Sequence, residues 1–530
     1  MLGVIAAGNP HTAAAGAAML KQGGNAVDAI VAAAFASFIA EIGVVHFGGS
    51  GVAQIFDSRT GQSLFYDFFS AMPGMGGDEW PKTLNFEPVT INFGATTQDF
   101  HLGRASVAVP GNLFGLCQLA TEHGRLPLKM LLEPALEMAE HGVILDVFQA
   151  ETCELLKPLY THTETMRDIF LRDGEMIQPG QRLFIPDLAD TLRLFGESGI
   201  EGIRRGRLAE AIVADQEKMG GLLTAADLEF YRVQLGSPIR INYRQYELLL
   251  PPPCSTGGVL TAFTLKLLSH FDVGSLTHGS ARHLQLLYEV MAAALRARSL
   301  WDELAEGHTT GDALARFLAA EVIGEYVDEI RAAWQGGVRY EPVAEPPGPG
   351  NTSHISVIDH EGLAVGLTTT AGESAGYVVP GTGFILNNIL GEGDLNPKGF
   401  HQWGAGQRIS TMMAPTIVLQ GGKVRLVVGS GGSERIRSAI LQVLSNLLDF
   451  EMSLDDAVNT NRVHVQGGVL QCEWGYDEAA VAGFEQMGYE ANRWPTRSIY
   501  FGGAHSVSRT ATGRLVAAGD NRRAGSIAEA

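Results

Sequence analysis

Asn351-Thr-Ser-His-Ile-Ser-Val-Ile-Asp359 and, after a short turn, Leu363-Ala-Val-Gly-Leu-Thr-Thr-Thr370 are the stretch on which the reading of this chain turns. Polar and apolar residues alternate along both segments with the period of two of a β-strand, and His360-Glu-Gly362 between them is a turn. A hairpin centred on Glu361 sets Ile358 opposite Ala364, Ser356 opposite Gly366, His354 opposite Thr368 and Thr352 opposite Thr370. Side chains paired in this way lie about 5 Å apart at Cβ, on one face. One face then carries Thr352, His354, Ser356, Gly366, Thr368 and Thr370, and the other Ile355, Val357, Leu363, Val365 and Leu367. The apolar face is expected to pack inward and the polar face to be free for a site.

Just before the hairpin comes Glu341-Pro-Val-Ala-Glu-Pro-Pro-Gly-Pro-Gly-Asn351, too rich in proline and glycine for helix or central strand, and the best linker in the chain. Two facing threonines are by themselves an ordinary cross-strand pair. A chain break after Asn351 changes their meaning. The Thr352 hydroxyl is a weak nucleophile without a base, and a new N-terminus supplies one in its own α-amine, of ordinary pKa about 7.7 to 8.0. Self-cleavage at Asn351/Thr352, followed by nucleophilic attack by Thr352 on an amide, is the chemistry these residues suggest.

Working outward, the two segments Thr12–Gln22 and Ala26–Glu41 read as helices separated by Gly23-Gly-Asn25, which ends one and caps the next. The apolar run Ala29–Ala40 is too short to cross a bilayer and reads as a buried helix. Gly51–Phe69 reads as a hairpin about Asp57-Ser-Arg-Thr-Gly61, and Leu126–Trp334 as mostly helical, interrupted by the turn Pro251-Pro-Pro-Cys-Ser-Thr-Gly-Gly258. Beyond the linker, Thr416–Gly429 and Gly502–Asp520 read as further hairpins. Helices bracketing sheets of this kind suggest a layered α/β architecture.

Composition narrows the function. The 530 residues are 45% hydrophobic and 18% charged, with a formal net charge of −20 and no long acidic run, which argues against a nucleic-acid partner. Cys117, Cys153, Cys254 and Cys472 are far apart and form no CxxC pair, so neither zinc nor a disulfide framework is expected. No phosphate loop, GxSxG elbow or HExxH occurs, and no metal or nucleotide cofactor is indicated. The opening residues lack a basic signal-peptide region, giving a cytoplasmic expectation with no membrane anchor.

The hairpin region, with Pro380-Gly-Thr-Gly-Phe-Ile-Leu-Asn-Asn388, resembles the processing and nucleophile region of the γ-glutamyltransferases, N-terminal nucleophile enzymes made as one precursor. The resemblance runs the length of the chain through Gly23-Gly-Asn-Ala-Val-Asp-Ala29, Val109-Pro-Gly111, Asp227-Leu-Glu-Phe-Tyr231, the Pro251–Gly258 turn, Ala414-Pro-Thr-Ile-Val418, Asn459-Thr-Asn-Arg-Val-His464 and Gly519-Asp-Asn-Arg-Arg523, in the family's order. It implies a four-layer αββα sandwich, cut into a large subunit 1–351 and a small subunit 352–530 that remain one globular unit. Thr352 would be the nucleophile, and Thr370 would hydrogen-bond it. Within Gly429-Ser-Gly-Gly-Ser433, Gly431 and Gly432 would form the oxyanion hole, although Gly432 and Ser433 align equally well. A plain turn feeding a helix near Arg435 is the other reading of that loop.

At the substrate positions the chain departs from the family. Members that bind a γ-glutamyl group carry an arginine in an Asp-Phe-Arg segment, and here the segment is Asp67-Phe68-Phe69. The family's asparagine after the second threonine is Gly372, and its paired serines are Thr411 and Met412. Glu392 or Asp394 remains to meet a substrate amine, and Arg408 or Arg435 would be a relocated carboxylate contact or a structural ion-pair residue. Losing a fixed guanidinium costs several kcal/mol of carboxylate recognition. Glutathione is therefore not expected to be the best substrate of this small-molecule amide hydrolase, whose acyl group stays open and includes γ-glutamyl, with Phe69 and Met412 giving a less polar acyl pocket; other family branches act on cephalosporin side chains, oxamate or poly-γ-glutamate. True γ-glutamyl transfer and an uncleaved binding scaffold are the alternatives. The quaternary state stays open, with a homo-oligomer among the options.

Overall fold

The computed structural model describes residues 1–77, 80–92, 97–336 and 351–530, so the linker lies outside the described residues except for Asn351. Two antiparallel sheets carry the fold. In chain order their strands are β1 (Gly3–Ala7), β2 (Ser50–Asp57), β3 (Gln62–Phe68), β4 (Gln234–Gly236), β5 (Ile239–Tyr243), β6 (Tyr246–Leu250), β7 (Ser353–Asp359), β8 (Leu363–Thr370), β9 (Thr416–Gln420), β10 (Lys423–Val428), β11 (Ser506–Arg509), β12 (Leu515–Ala518) and β13 (Ser526–Glu529). The first sheet runs β4-β3-β2-β8-β7-β1-β13 and the second β5-β6-β9-β10-β11-β12.

The β7–β8 hairpin has the register its alternation requires, with His354 opposite Thr368, Ser356 opposite Gly366 and Ile358 opposite Ala364. This brings Thr352, one residue before β7, level with Thr370 at the end of β8. Strand β8 lies along β2, Thr370 beside Ser50, and β7 lies along β1. The residues after Asn351 thus form the centre and one edge of a sheet whose other strands precede it, and neither part has a complete sheet alone.

Helix α1 (Pro10–Lys21) is capped by the Asn9 side chain with Pro10 at its first position, and α2 (Ala26–Ala40) by a reciprocal Asn25–Asp28 capping box. Gly23, at φ +91°, makes the turn between them. A Cβ on Gly16 would come within 2.8 Å of the Ala29 carbonyl, so glycine permits the close crossing of the two helices. Every residue of α2 is buried. Its alanines allow near contact with the sheet, and its larger side chains share one core with Ile355, Val357, Val365 and Leu367 of the hairpin. Helices α3 (Thr256–Leu268), α4 (Ala281–Gly307) and α5 (Arg435–Leu448) share a second core with Leu248, Leu250, Val418, Leu426 and Val428 of the other sheet. The alternate residues Ile417, Leu419 and Val427 meet Val4, Ala6, Ile358 and Ala364 between the sheets.

The polar face of the hairpin is therefore not free. Ser356 Oγ donates to the His505 carbonyl at 2.9 Å, and the His354 ring nitrogens lie 2.8 Å from Thr368 Oγ1 and Ser356 Oγ. A central strand between two layers must cover both faces, and these short, mutually satisfied polar groups let the second sheet approach; only the hairpin's end reaches a cavity. Two further differences concern the middle of the chain. It contains the β5–β6 hairpin among its helices, and the Pro251 turn stops at Ser255. Gly257 and Gly258 belong to the first turn of α3, where a Cβ would lie 2.0 Å from the Met412 carbonyl and 2.4 Å from that of Pro251 respectively. All four cysteines are free, three of them buried. Among the described residues no helix is long and apolar enough to cross a membrane.

Candidate active site

The end of the β7–β8 hairpin opens into a cavity of about 30 Å³ lined by Thr352 and Thr370 with Phe69, Glu392, Asp394, Thr411, Met412 and Ser433. They come from several structural sources. Phe69 follows β3, and its backbone carbonyl is gripped by the Tyr231 hydroxyl at 2.8 Å. Thr411 and Met412 are held by the N-terminus of α3, whose Gly257 N–H donates to the Thr411 carbonyl at 3.2 Å. The loop carrying Glu392 and Asp394 is braced by Asn387, whose amide spans the Gly48 and Ala108 carbonyls at 2.8 and 3.0 Å.

Thr370 Oγ1 accepts the Gly372 N–H at 3.0 Å and donates to the Asn351 carbonyl at 2.5 Å. In the continuous chain the second threonine thus holds the carbonyl of the bond before Thr352 rather than the Thr352 hydroxyl, because that carbonyl is the strong acceptor within its reach. Asn351 itself is buried: its N–H and Nδ2 both donate to the Glu373 carboxylate, at 3.1 and 2.7 Å. On the other side, Arg523 Nη1 donates to the Thr352 carbonyl at 3.0 Å, and the Ser353 hydroxyl donates to Glu41 at 2.6 Å.

The glycine loop lies against the same carbonyl. A Cβ on Gly431 would fall 1.9 Å from the Thr352 oxygen, so only glycine fits there. Gly432 has φ +115° and Ser433 φ +48°, a twist that turns the chain into α5. Ser433 donates its hydroxyl to Asp394.

The site is acidic. Burial pushes the Glu392 carboxyl well above the usual range, reinforced by Asp394 and Glu373, and burial likewise raises Asp394. Glu41 is pushed up to about 7, chiefly by burial, with the Ser353 and Thr12 hydroxyls opposing. Burial and the neighbouring Arg435 bring the Arg523 guanidinium down to about 10. Among the described residues, Glu392 Oε1 and Asp394 Oδ1 have no hydrogen-bond partner. Gly372 makes room for Glu392: a side chain there would meet the Glu392 and Asn388 oxygens at 2.4 Å.

Neither arginine considered for a carboxylate contact lines this cavity. Arg408 pairs with Asp67 at 3.4 Å and donates to the Phe69 carbonyl, and Arg435 Nε donates to the Tyr500 carbonyl at 3.1 Å. The residues that sequence reasoning missed are Glu373, Glu41 and Arg523. Arg523 closes the Gly519–Arg523 motif, and Glu41 ends an apolar helix, where a buried acid needs a partner. Glu373, adjoining the segment after Thr370, carried no signal of its own.

The family model described as Gamma-glutamyltranspeptidase matches residues 12–530. An "Acylase ACY 1 proenzyme" from Pseudomonas sp. (strain SE83) is 33% identical over 97% of this chain and 91% of its own length. A "Glutathione hydrolase proenzyme" from Bacillus subtilis (strain 168) is 29% identical over 96% and 87%. Among solved structures, the cephalosporin acylase from Bacillus halodurans shares the fold, with a TM-score of 0.82 at 23% identity over 99% of this chain and 95% of that one.

Proposed function

On the premise that this chain belongs to the gamma-glutamyltranspeptidase family, we propose that it is a self-cleaving amide-bond hydrolase whose nucleophile is Thr352, freed by a break after Asn351. The matched relatives are named as acylase and glutathione hydrolase proenzymes, which supports a processed enzyme over an uncleaved scaffold. Two sheets with helices on their outer faces support the four-layer αββα sandwich of N-terminal nucleophile hydrolases, with residues 1–351 and 352–530 as its two subunits.

The observation that carries the proposal is the 2.5 Å hydrogen bond from Thr370 to the carbonyl preceding Thr352. It polarises the bond to be cut. In processing, Thr352 Oγ1 bonds to the Asn351 carbonyl carbon, the bond from that carbon to the Thr352 nitrogen breaks, and the hydroxyl proton passes to the nitrogen. Water then cleaves the ester, leaving an Asn351 carboxylate and a Thr352 hydroxyl beside a free α-amine. In turnover that amine takes the hydroxyl proton as Thr352 attacks the substrate amide and returns it to the leaving amine; water releases the acyl group. The Gly431–Gly432 backbone is the proposed support for the oxyanion.

For the acyl group, Phe69, Leu395, Met412, Met413 and Ile436 supply an apolar wall, Glu392 and Asp394 are the acids, and no arginine or lysine lines the cavity among the described residues. A γ-glutamyl α-carboxylate would find no cation here and two buried acids instead. An amide whose acyl part lacks that carboxylate fits better, in keeping with the acylase relative. At about 30 Å³ the cavity is far below an ordinary ligand pocket of roughly 300–1,000 Å³, as suits a precursor not yet open to substrate.

Intact mass of the purified protein beside Thr352→Ala tests this. Wild type is expected to split into 1–351 and 352–530 while the variant stays at 56.6 kDa. Two folded proteins that both stay whole would sink the mechanism. On the split enzyme, a γ-glutamyl anilide should turn over more slowly than an apolar acyl anilide, and the reverse order would favour true γ-glutamyl transfer.

A further inference from the structure

The bond after Asn351 is held more firmly on its N-terminal side than a nucleophile alone requires. Asn351 is 4% exposed although it ends a proline- and glycine-rich segment. One carboxylate takes both its backbone N–H and its side-chain amide, at 3.1 and 2.7 Å, and one hydroxyl takes its carbonyl at 2.5 Å. The side-chain amide also reaches the Gly43 carbonyl at 3.2 Å. Together these bonds fix the backbone torsions and the side-chain rotamer of a single residue, the one whose carbonyl carbon is attacked.

The carboxylate and the hydroxyl belong to one tight loop. Thr370 Oγ1 accepts the Gly372 N–H at 3.0 Å, which leaves its own proton to point at the Asn351 carbonyl. Gly372, at φ +67°, turns the chain so that Glu373 comes back over Asn351. Asn388 Oδ1 then pins the loop by accepting the N–H groups of Glu373 and Ser374 at 2.7 and 3.2 Å. A buried carboxylate is costly unless its acceptor sites are filled, and the partners here are donors of the residue whose carbonyl is cut.

Building on the proposed self-cleavage, we propose that Glu373 is a positioning residue for maturation: it clamps Asn351 so that the carbonyl polarised by Thr370 faces the Thr352 hydroxyl. Burial leaves the Glu373 carboxyl raised above its usual range, with the Asn351 N–H, the charge of Arg523 and the Asn351 amide opposing that rise. The clamp acts once, because after the cut Asn351 is the C-terminus of the large subunit and no longer carries a bond to be broken. Glu41, which accepts the Ser353 hydroxyl, and Arg523, on the Thr352 carbonyl, hold the far side of the bond and stay in place after it is cut.

A pulse-chase with the full-length chain made by cell-free translation separates this role from a merely structural one. The first-order rate of cleavage is read by intact mass for wild type, Glu373→Ala, Glu373→Gln, Asn351→Ala and the Glu373→Ala/Asn351→Ala double variant, with melting to show that each folds. A misplacement near 1 Å costs about 100-fold in such a reaction, so Glu373→Ala should slow cleavage by between 10- and 100-fold. Glu373→Gln, which keeps one acceptor in the same shape, should be slowed less. The double variant should be no slower than Glu373→Ala, because the amide that Asn351→Ala removes has already lost its main acceptor. Cleavage of Glu373→Ala at the wild-type rate, or costs that multiply in the double variant, would overturn the clamp. Should Glu373→Ala fail to fold, the same cycle with Glu373→Gln decides between coupled and independent costs. Wild type that never cleaves would instead refute the proposed self-cleavage itself, and the clamp with it.

Discussion

The sharpest prediction concerns a single methyl group. In Gly431→Ala the new Cβ would lie 1.9 Å from the Thr352 carbonyl oxygen, 2.8 Å from its carbon and 3.1 Å from Arg523 Nη1. Real Cβ contacts do not come below 3.0 Å, so the Thr352 carbonyl must retreat by about 1.1 Å, away from Arg523, carrying the Thr352 backbone and the hydroxyl proposed to attack out of place. Displacement of that size is worth about 100-fold in rate, near 3 kcal/mol of barrier. The crowding itself should cost about 1–3 kcal/mol of stability, which a domain of this size tolerates. The assay follows cleavage by intact mass and, in whatever fraction matures, turnover of an anilide per small subunit. Gly307→Ala is the control: nothing lies within 4 Å of the Cβ it adds at the end of α4, so cleavage and turnover should be unchanged. If folded Gly431→Ala matures and turns over within threefold of wild type, the glycine loop does not set the geometry at Thr352.

Two further outcomes follow from charge. Glu41 is pushed up to about 7 from an ordinary 4.5, so the folded protein holds its proton where the unfolded chain has lost it; the resulting stability is full below pH 4.5 and is lost as pH rises through 7. Glu41→Gln removes that slope, and its melting temperature relative to wild type should climb between pH 4.5 and 7; a flat difference would contradict the burial argument. Phe69→Arg puts a cation where γ-glutamyl-binding relatives are read as having one, and should raise kcat/KM for a γ-glutamyl anilide relative to an apolar acyl anilide by at least tenfold. No change in that ratio in a folded, cleaved variant would sink the account of substrate choice.

Local pattern was enough for much of the fold. The alternation from Ser353 to Thr370 allows one register, since a slip of one residue would carry Ile355, Val357, Val365 and Leu367 off the helix-facing core, and the observed pairs are those the alternation implies. Capping chemistry at Asn25–Asp28 and the glycines before it placed α2 within a residue of its end, because these are contacts between near neighbours in sequence. The alternation could say which side chains share a face, but not that a second sheet would lie on the polar one. What covers His354 and Ser356 is Val427 and His505, far along the chain, and no local rule brings them there.

The candidate site divides in the same way. Asn351, Thr352, Thr370, Gly431, Phe69, Glu392, Asp394 and Thr411 were legible through motif order and hairpin counting, and the fold gathers them around one bond and one small cavity. Glu373 was invisible because a glutamate three residues beyond a strand is ordinarily a solvated one; its meaning comes from the left-handed turn at Gly372 and the pin at Asn388. Arg523 and Glu41 reach the bond from opposite ends of the chain, 523 through the Thr352 carbonyl and 41 through the Ser353 hydroxyl. The sequence by itself determined which strand carries the threonines and which residue faces which, because period and register are local. Only the tertiary structure decided which buried charges surround the Asn351–Thr352 bond, because burial and partner choice are properties of what the rest of the chain brings alongside.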